Sequence, residues 1–434
     1  MANYRVKSSY ENLSGQYLVK AYDYQKQFCH LYAHRLAEMT RLLTPLAQKK
    51  WGTKEPIKKL CELHAEQDIH CILIGTIYKH QVHKPSILRD ISEENQLAPQ
   101  PPRQNYSEPE DKVILEDELQ RVRLRGEHLT GQLMATGIVC AIIGVPDNDG
   151  FFNVEDVLYY ESGPQKPLPT RQSSGRLLVL ASGLDQLQSH NFADSLNLFQ
   201  YWLSGSLDNA KEAQSAHRLI IAGNSVRSSA VAHVPTLQVA RTQANANETV
   251  QAVQQLDSWF AAWARALYVD VMPGAFDPAN FMLPQQPFHK CMFPQASQLA
   301  SFQSVSNPYS CRLDDALIVG TAGQNIADLK RSTTLESSLD ALRCTLTWGH
   351  IAPTAPDTLA CYPYIDSDPF IITECPHIYF AGNCDNFETE LHVGSNGKRT
   401  RLVCVPSFSS TQSIAVVDLD TLDCRQIDFS LPSE

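Results

Sequence analysis

Apolar positions recur at helical spacing over the stretch from Tyr22 to Trp51. There Phe28, Leu31, Tyr32, Leu36, Met39 and Leu43 fall on one stripe, which predicts an amphipathic helix. From Ile57 to about Glu161 the period shortens. "DIHCILIGTIYK" reads as a strand and "DKVILEDELQRVRLRG" alternates between apolar and polar. "GIVCAIIGVPDNDGFFNVEDVLYY" reads as two strands turning at Asp149-Gly150. Beyond residue 175 the texture changes again. "RLLVLASGLD", "RLIIAGNSV", "YVDVMPGAFDP", "ALIVGTAGQN", "HIYFAGNC" and "RLVCVPSF" are near-continuous apolar runs, as expected of strands buried on both faces. "ADSLNLFQYWLSGSL" and "NETVQAVQQLDSWFAAWARAL" between them are helical in pattern.

Several short strands in about a hundred residues predict a small β-barrel, and an OB-fold fits best. The apolar runs with intervening helices predict a layered α/β domain. The Pro/Ser-rich "SGPQKPLPTRQSSG" separates the two, and the Pro-rich "LAPQPPRQNYSEPED" is a long loop inside the barrel. The expected organisation is an N-terminal helical segment over 1–55, an OB-fold over 56–165, a linker over 166–175 and an α/β domain over 176–434.

In the barrel, Arg121, Arg123 and Arg125 face one way while Val122 and Leu124 face the other. OB-folds bind single strands, so these arginines are candidates for nucleic-acid contact. No aromatic residue is interleaved with them, and the solvated face of a half-buried strand accounts for the same pattern. The net charge of −11 argues against tight wrapping around nucleic acid by the chain unaided. No apolar run approaches the length that spans a bilayer, and the polar start "MANYRVKSSYENLSG" lacks the apolar core of a signal peptide. The twelve cysteines are scattered without a Cys-x-x-Cys pair. Cys71, Cys140 and Cys404 lie in apolar runs, as buried reduced thiols of a reducing compartment do. His30 and His34 sit four apart on the predicted helix with no third ligand near them, and exposed helix-face histidines explain them. The "KHQVH" segment from His80 lacks Cys or acidic partners for a metal pair. "GSNGKRT" has the wrong spacing for a phosphate loop, because the required glycine is His392; Asn396-Gly397 marks a hairpin turn instead.

Open α/β sheets place their chemistry beyond the carboxyl ends of strands. Here those ends read Ala181-Ser182-Gly183-Leu184, Ala222-Gly223-Asn224, Pro273-Gly274-Ala275-Phe276-Asp277 and Ala381-Gly382-Asn383-Cys384-Asp385. A two-metal phosphoesterase would offer Asp-x-His, Gly-Asp, Gly-Asn-His-Asp and Gly-His-x-His at such corners. The glycines of the last three remain. Ser182, Leu184, Asn224, Ala275, Phe276, Asn383 and Asp385 stand where ligands would be, and Asp277 is left. Two divalent ions ~4 Å apart repel by about 17 kcal/mol at an effective dielectric of 20. Asp277 and Asp385 alone do not offset that, so the expectation is a site without metal or cofactor, with Phe276 filling ligand space.

The stretches "KKLCEL", "PSILRDISEE", "LAPQPPR", "LEDELQRVRLRG", "VDVMPGAFDPANFMLPQQPFHKCMFP", "GTAGQN", "HIAPTAPDTLACYPY" and "DPFIITECPHIYFAGN" are long and idiosyncratic. In them the chain resembles the small (B) subunit family of eukaryotic DNA polymerase delta, over nearly all its length beyond the first twenty residues. The resemblance implies an OB-fold joined to an inactive calcineurin-like phosphodiesterase domain. It implies a non-catalytic accessory subunit in the nucleus that bridges two partners in replication and repair synthesis. These are the catalytic subunit, through its cysteine-rich C-terminal region, and a further accessory subunit; DNA is met through the complex. An autonomous single-strand binder acting through the OB-fold and an active metallophosphoesterase are the alternative functions. The Pro-braced "HIAPTAPDTLACYPYIDSDPF" carries Tyr362, Tyr364 and Phe370, which fit either a partner anchor or packing beneath the loop itself.

Overall fold

The structure, a computed structural model, describes residues 8–23, 25–65, 69–84, 104–127, 129, 133–168, 175–207, 210–227, 239–395 and 397–431. Residues 97–103 of the Pro-rich barrel loop, linker residues 169–174 and the turn residue Asn396 lie outside the described residues. The chain forms two compact units. One comprises Met1–Ala21, Gln165–Gln324 and Cys375–Glu434, and the other Tyr22–Pro164 and Asn325–Glu374.

Strand β1 (Tyr10–Asn12) belongs to the first unit, where it pairs antiparallel with residues 311–313. The second unit opens with the helix Cys29–Trp51, which starts seven residues after the expected Tyr22. Its buried positions are Leu31, Arg35, Met39, Leu43 and Ala47, a strict spacing of four that includes an arginine, while Phe28 is exposed. The strands are β2 (Ile57–Lys58), β3 (Cys71–His80), β4 (Lys112–Glu116), β5 (Arg121–Arg125), β6 (Val139–Pro146) and β7 (Phe151–Leu158). β3 pairs antiparallel with β4, β4 with β5, and β6 with both β7 and β3; β5 and β7 are parallel. The ring is therefore closed, which removes sheet edges. One parallel pair in an otherwise antiparallel five-stranded closed ring is the connectivity of an OB-fold. Met39, Leu43 and Ala47 of the helix pack on Ile72, Val139, Ala141 and Ile143 of the barrel.

Residues 325–374 join this barrel unit, which corrects the expectation of one α/β domain running through 176–434. The reason is local hydrogen bonding. The last turn of the helix Gln324–Ser332 presents its carbonyls beyond the helix end, and barrel-side donors take them. Asn105 Nδ2 donates to Lys330 O (2.9 Å) and Thr333 O (2.7 Å), Tyr106 N to Arg331 O (2.7 Å), and buried Lys79 Nζ to Ser332 O (3.1 Å). After the helix Ser338–Trp348, Glu161 N donates to Thr347 O (2.9 Å) and Gly163 N to Ile372 O (3.2 Å).

In the first unit the remaining strands are β8 (Leu177–Ala181), β9 (Ala216–Ala222), β10 (Tyr268–Met272), β11 (Phe302–Ser304), β12 (Tyr309–Leu313), β13 (Ala316–Thr321), β14 (Ile378–Cys384), β15 (Glu388–Val393), β16 (Arg399–Pro406), β17 (Ser413–Asp418) and β18 (Cys424–Asp428). They build two mixed six-stranded sheets, ordered β11-β10-β9-β8-β17-β18 and β1-β12-β13-β14-β16-β15. Alternation assigns the faces. Leu178, Leu180, Ile220 and Met272 of the first sheet meet Ile318, Ile378, Phe380 and Val403 of the second. Val179, Leu219, Ile221 and Val269 point the other way, onto Phe199, Trp202, Phe260 and Trp263 of the helices Ala193–Leu203 and Val239–Ala264. Covering both faces is what made these strands read as continuous apolar runs. β15 and β16 form the hairpin expected around residue 397.

Candidate functional site

The parallel strands β8, β9 and β10 of one sheet and β13, β14 and β16 of the other end at the same edge of the first unit, and their corners touch. Ser182 bridges to Ser407, and Gly183 N donates to Gly223 O at 2.9 Å. A Cβ added at Gly382 would lie 2.5 Å from Ala222 O, and one at Gly223 would lie 2.6 Å from Ala322 Cβ. Both approaches are shorter than any side chain tolerates, so the glycines are required where the two sheets meet backbone to backbone.

The polar side chains at these strand ends are spent on this contact. Ser182 is buried; its hydroxyl donates to Pro406 O (3.0 Å) and accepts from Asn383 N (2.8 Å). Asn383 is in the left-handed region (φ 55°), and its Nδ2 donates to Ala222 O and Ala322 O, both at 2.9 Å. It thus ties the end of β9 to the end of β13. Asn224 (φ 55°) is buried, and its Oδ1 accepts from Phe276 N at 3.2 Å. Leu184 is packed in the helix-side core. Asp277, the one acid remaining at the Pro-Gly corner, is buried with both oxygens engaged. It accepts from Val226 N at 2.8 Å and Gly274 N at 2.9 Å. Burial pushes its carboxyl up to about 6 against the pull of those amides. Asp385 is exposed at the end of β14 and Ala275 is half-buried. Among the described residues no group of three His, Cys, Asp or Glu is placed to hold a metal ion.

Phe276 departs from expectation. Its ring is 39% exposed, so it does not fill the interior of the corner. Close glycine contacts and amide side chains occupy that space instead. Five residues on, Phe281 is 79% exposed. The segment carrying both rings is braced by polar contacts: Asn280 Nδ2 donates to Met282 O (2.6 Å), Gln285 Nε2 to Gly274 O (2.9 Å), and Gln286 N to Asn280 Oδ1 (2.7 Å).

The Pro-braced loop that carries Tyr362, Tyr364 and Phe370 turns its rings inward. Tyr362 and Phe370 are buried and Tyr364 is half-buried. Tyr362 sits edge-on to Tyr22 and Tyr364, and its hydroxyl accepts from Asp23 N at 3.0 Å. Of the two readings of this loop, these contacts are those of packing within its own unit. Beneath them lies a cluster that sequence reading missed. Fully buried Arg35 donates from Nε to Asp368 (2.6 Å) and from its other nitrogens to Pro353 O (3.0 Å) and Ala355 O (2.7 Å). His350 Nε2 reaches the same carboxylate at 3.0 Å. The only available signal was the four-residue spacing that places Arg35 on the buried stripe.

On the barrel, Arg121, Arg123 and Arg125 are exposed on β5, while Leu124 faces in. β7 brings Phe151 beside them. The Arg125 guanidinium lies 3.9 Å and that of Arg123 5.9 Å from its ring centroid. Strand pairing thus supplies an aromatic that the local sequence lacks. Weak surface pairs join Arg121 to Glu116 and Arg125 to Asp147, both at 3.6 Å. His30 is exposed and His34 partly so, without a metal cluster. All twelve cysteines are unbridged, with Cys71, Cys140 and Cys404 buried. No helix among the described residues is long and apolar enough to cross a membrane.

Known proteins match both units. The family model described as DNA polymerase delta subunit OB-fold domain matches residues 27–157, and that of the DNA polymerase alpha/epsilon B subunit matches residues 178–389. DNA polymerase delta subunit 2 of Drosophila melanogaster is 78% identical over 431 residues, covering 99% of each chain. The DNA polymerase delta small subunit of Arabidopsis thaliana is 37% identical over 431 residues, 98% of this chain and 96% of the relative. That of Saccharomyces cerevisiae is 30% identical over 461 aligned residues, 96% of this chain and 92% of the relative. With the barrel closed as an OB-fold and the family matched along its whole length, the chain belongs to the DNA polymerase delta small-subunit family.

Proposed function

We propose that this chain is a non-catalytic scaffold of the DNA polymerase delta holoenzyme. In this reading it joins the catalytic subunit, through that subunit's cysteine-rich C-terminal region, to a further accessory subunit, and serves nuclear replication and repair synthesis. Its two-sheet unit is a calcineurin-like phosphodiesterase fold without hydrolytic activity. The observation that carries the reading is the use of Asn383. Its amide nitrogen bonds two backbone carbonyls across the strand ends, in the place where a phosphodiesterase would point an imidazole at metal. Asp277 supports it in the same way, since both its oxygens cap backbone amides. A protein without chemistry acts through surfaces, and Phe276 and Phe281, on a braced segment, are suited to contact a partner.

The test is elemental analysis of the purified chain together with a phosphodiester hydrolysis assay in added manganese. The expected result is substoichiometric metal and no turnover above the no-protein control. Stoichiometric tightly held metal, with hydrolysis abolished by Asp277→Ala, overturns the inert reading.

A further inference from the structure

A cleft of about 720 Å³ opens on the barrel, lined by residues of β4 and β5 and by Leu129 and Leu133. Its cations are Lys112, Arg123 and Arg125; its apolar lining includes Leu129 and Leu133, and Phe151 lines it beside the two arginines. The cations project outward from a closed barrel whose strands fix their spacing, since Arg123 faces Ile114 on one neighbour and Phe151 on the other. Lys112 and Arg123 make no ion pair among the described residues, and Arg125 makes only a half-exposed pair at 3.6 Å.

We propose that this cleft binds an acidic–apolar polypeptide segment of a partner protein, seating carboxylates on Arg123 and Arg125 and aliphatic or aromatic side chains on Leu129 and Leu133. Charge complementarity selects the anionic class, and three features favour a peptide over a nucleic acid. The one aromatic in the cleft, Phe151, has the Arg125 guanidinium 3.9 Å from its centroid, so one of its two faces is already taken by a cation and is closed to base stacking. Beyond Lys112, Arg123 and Arg125 the lining carries Glu108 and Asp111, already engaged by His83 (3.0 Å) and Lys79 (3.5 Å), so the cleft offers a short cationic patch for one or two carboxylates and no continuous track for a polyanion. Leu133 is 38% exposed, an aliphatic surface that offers nothing to a sugar–phosphate backbone and accepts an apolar side chain. Bidentate arginine contacts to carboxylate give such a site its geometric selectivity.

The inference rests on the scaffold reading only in expecting a polypeptide partner, and it does not depend on the strand-end corner. A random peptide display selection on the full chain, counter-selected on Arg123→Ser/Arg125→Ser, tests it. Enriched sequences are expected to place Asp or Glu within a few residues of Leu, Phe or Trp. In polarisation titrations a selected peptide should bind the double variant at least about tenfold more weakly. Its Asn/Gln counterpart should bind the parent chain about tenfold more weakly. Leu133→Ser should weaken the same peptide, with circular dichroism unchanged in every variant. A twenty-nucleotide oligodeoxythymidine should bind more weakly than the peptide. No enrichment over the counter-selection, enrichment without acidic residues, equal affinity for the double variant, or tighter binding of the oligonucleotide each overturns the proposal. None of these outcomes bears on metal content or hydrolysis, so failure here is distinct from failure of the inert reading.

Discussion

Arg35 and Asp368 lie 333 positions apart in sequence and meet at 2.6 Å with neither side chain exposed to solvent. The contact fixes the N-terminal helix to the Pro-braced loop 350–370 of the same unit. Burial raises the Asp368 carboxyl, but Arg35 and His350 more than offset this and hold it well below the usual carboxylate range. Removing one partner of such a pair strands the other charge, which costs about 3–5 kcal/mol. Arg35→Met should therefore destabilise the barrel unit by about that amount in urea unfolding of the full chain. A loss below about 1 kcal/mol would show that the pair is dispensable.

His350 gives that cluster a pH dependence. Its Nδ1 accepts from Ala352 N at 3.2 Å, so the neutral ring carries its proton on Nε2, toward Asp368. Burial lowers its pKa, and the Arg35 guanidinium lowers it further, against the opposing pull of Asp368. Below the unfolded value near ~6.5 the unfolded chain takes up a proton that the folded chain refuses, so stability falls as pH drops from there. The stability difference between the parent chain and His350→Gln should shrink on acidification from pH 7 to 5. A difference that does not change over that range contradicts the buried neutral ring.

Asp277 runs in the opposite sense. Its folded carboxyl is pushed up to about 6 by burial, against an unfolded value near ~3.9. Between these values the folded chain holds a proton that the unfolded chain has lost, so its contribution is full below about pH 4 and is lost as pH rises through 6. Comparing thermal unfolding of Asp277→Ala with the parent should show a larger penalty at pH 4 than at pH 7, by as much as about 3 kcal/mol. Equal penalties at both pH values would mean that folding does not raise this carboxyl.

The barrel, the α/β texture and the strand-end corners were legible because each rests on local periodicity. Strand β5 reads correctly from Arg121 to Arg125, and β8 reveals its two-sided burial by being apolar on both parities, Leu178 and Leu180 on one face and Val179 on the other. What the sequence hid depends on long-range closure. That residues 325–374 return to the barrel is decided by Lys79, Asn105 and Tyr106 finding carbonyls more than two hundred positions away. That Arg35 is interior depends on a carboxylate 333 positions on. Phe151 reaches the arginine face only because β5 and β7 pair in parallel. The inward turn of Tyr362 has the same origin, since Tyr22 and Asp23 come from the far end of the unit.

The scaffold reading predicts a thermodynamic linkage to its partner. A protein that binds only the folded chain stabilises it by about 2.7 kcal/mol at a hundredfold excess over the dissociation constant. For units of this size that corresponds to a rise in melting temperature of about 5–10 °C. Adding the cysteine-rich C-terminal region of the catalytic subunit should produce such a rise in the full chain. The surface responsible can be located with the exposed rings. Phe281 is 79% exposed and Phe276 39%, so in Phe276→Ser/Phe281→Ser the cost to the free chain comes from the covered part of Phe276, and the partner-induced rise is measured from the variant's own melting temperature. If these rings anchor the partner, the double variant should lose most of the partner-induced rise, since truncating a central aromatic typically costs about 2 kcal/mol or more, roughly thirtyfold in affinity. Tyr362→Ala should behave differently: it empties a buried aromatic site and should lower the melting temperature of the free chain itself. Identical melting with and without the partner region defeats the scaffold reading. A full partner-induced rise in the double phenylalanine variant leaves the scaffold in place and moves its docking surface away from the Pro-Gly corner.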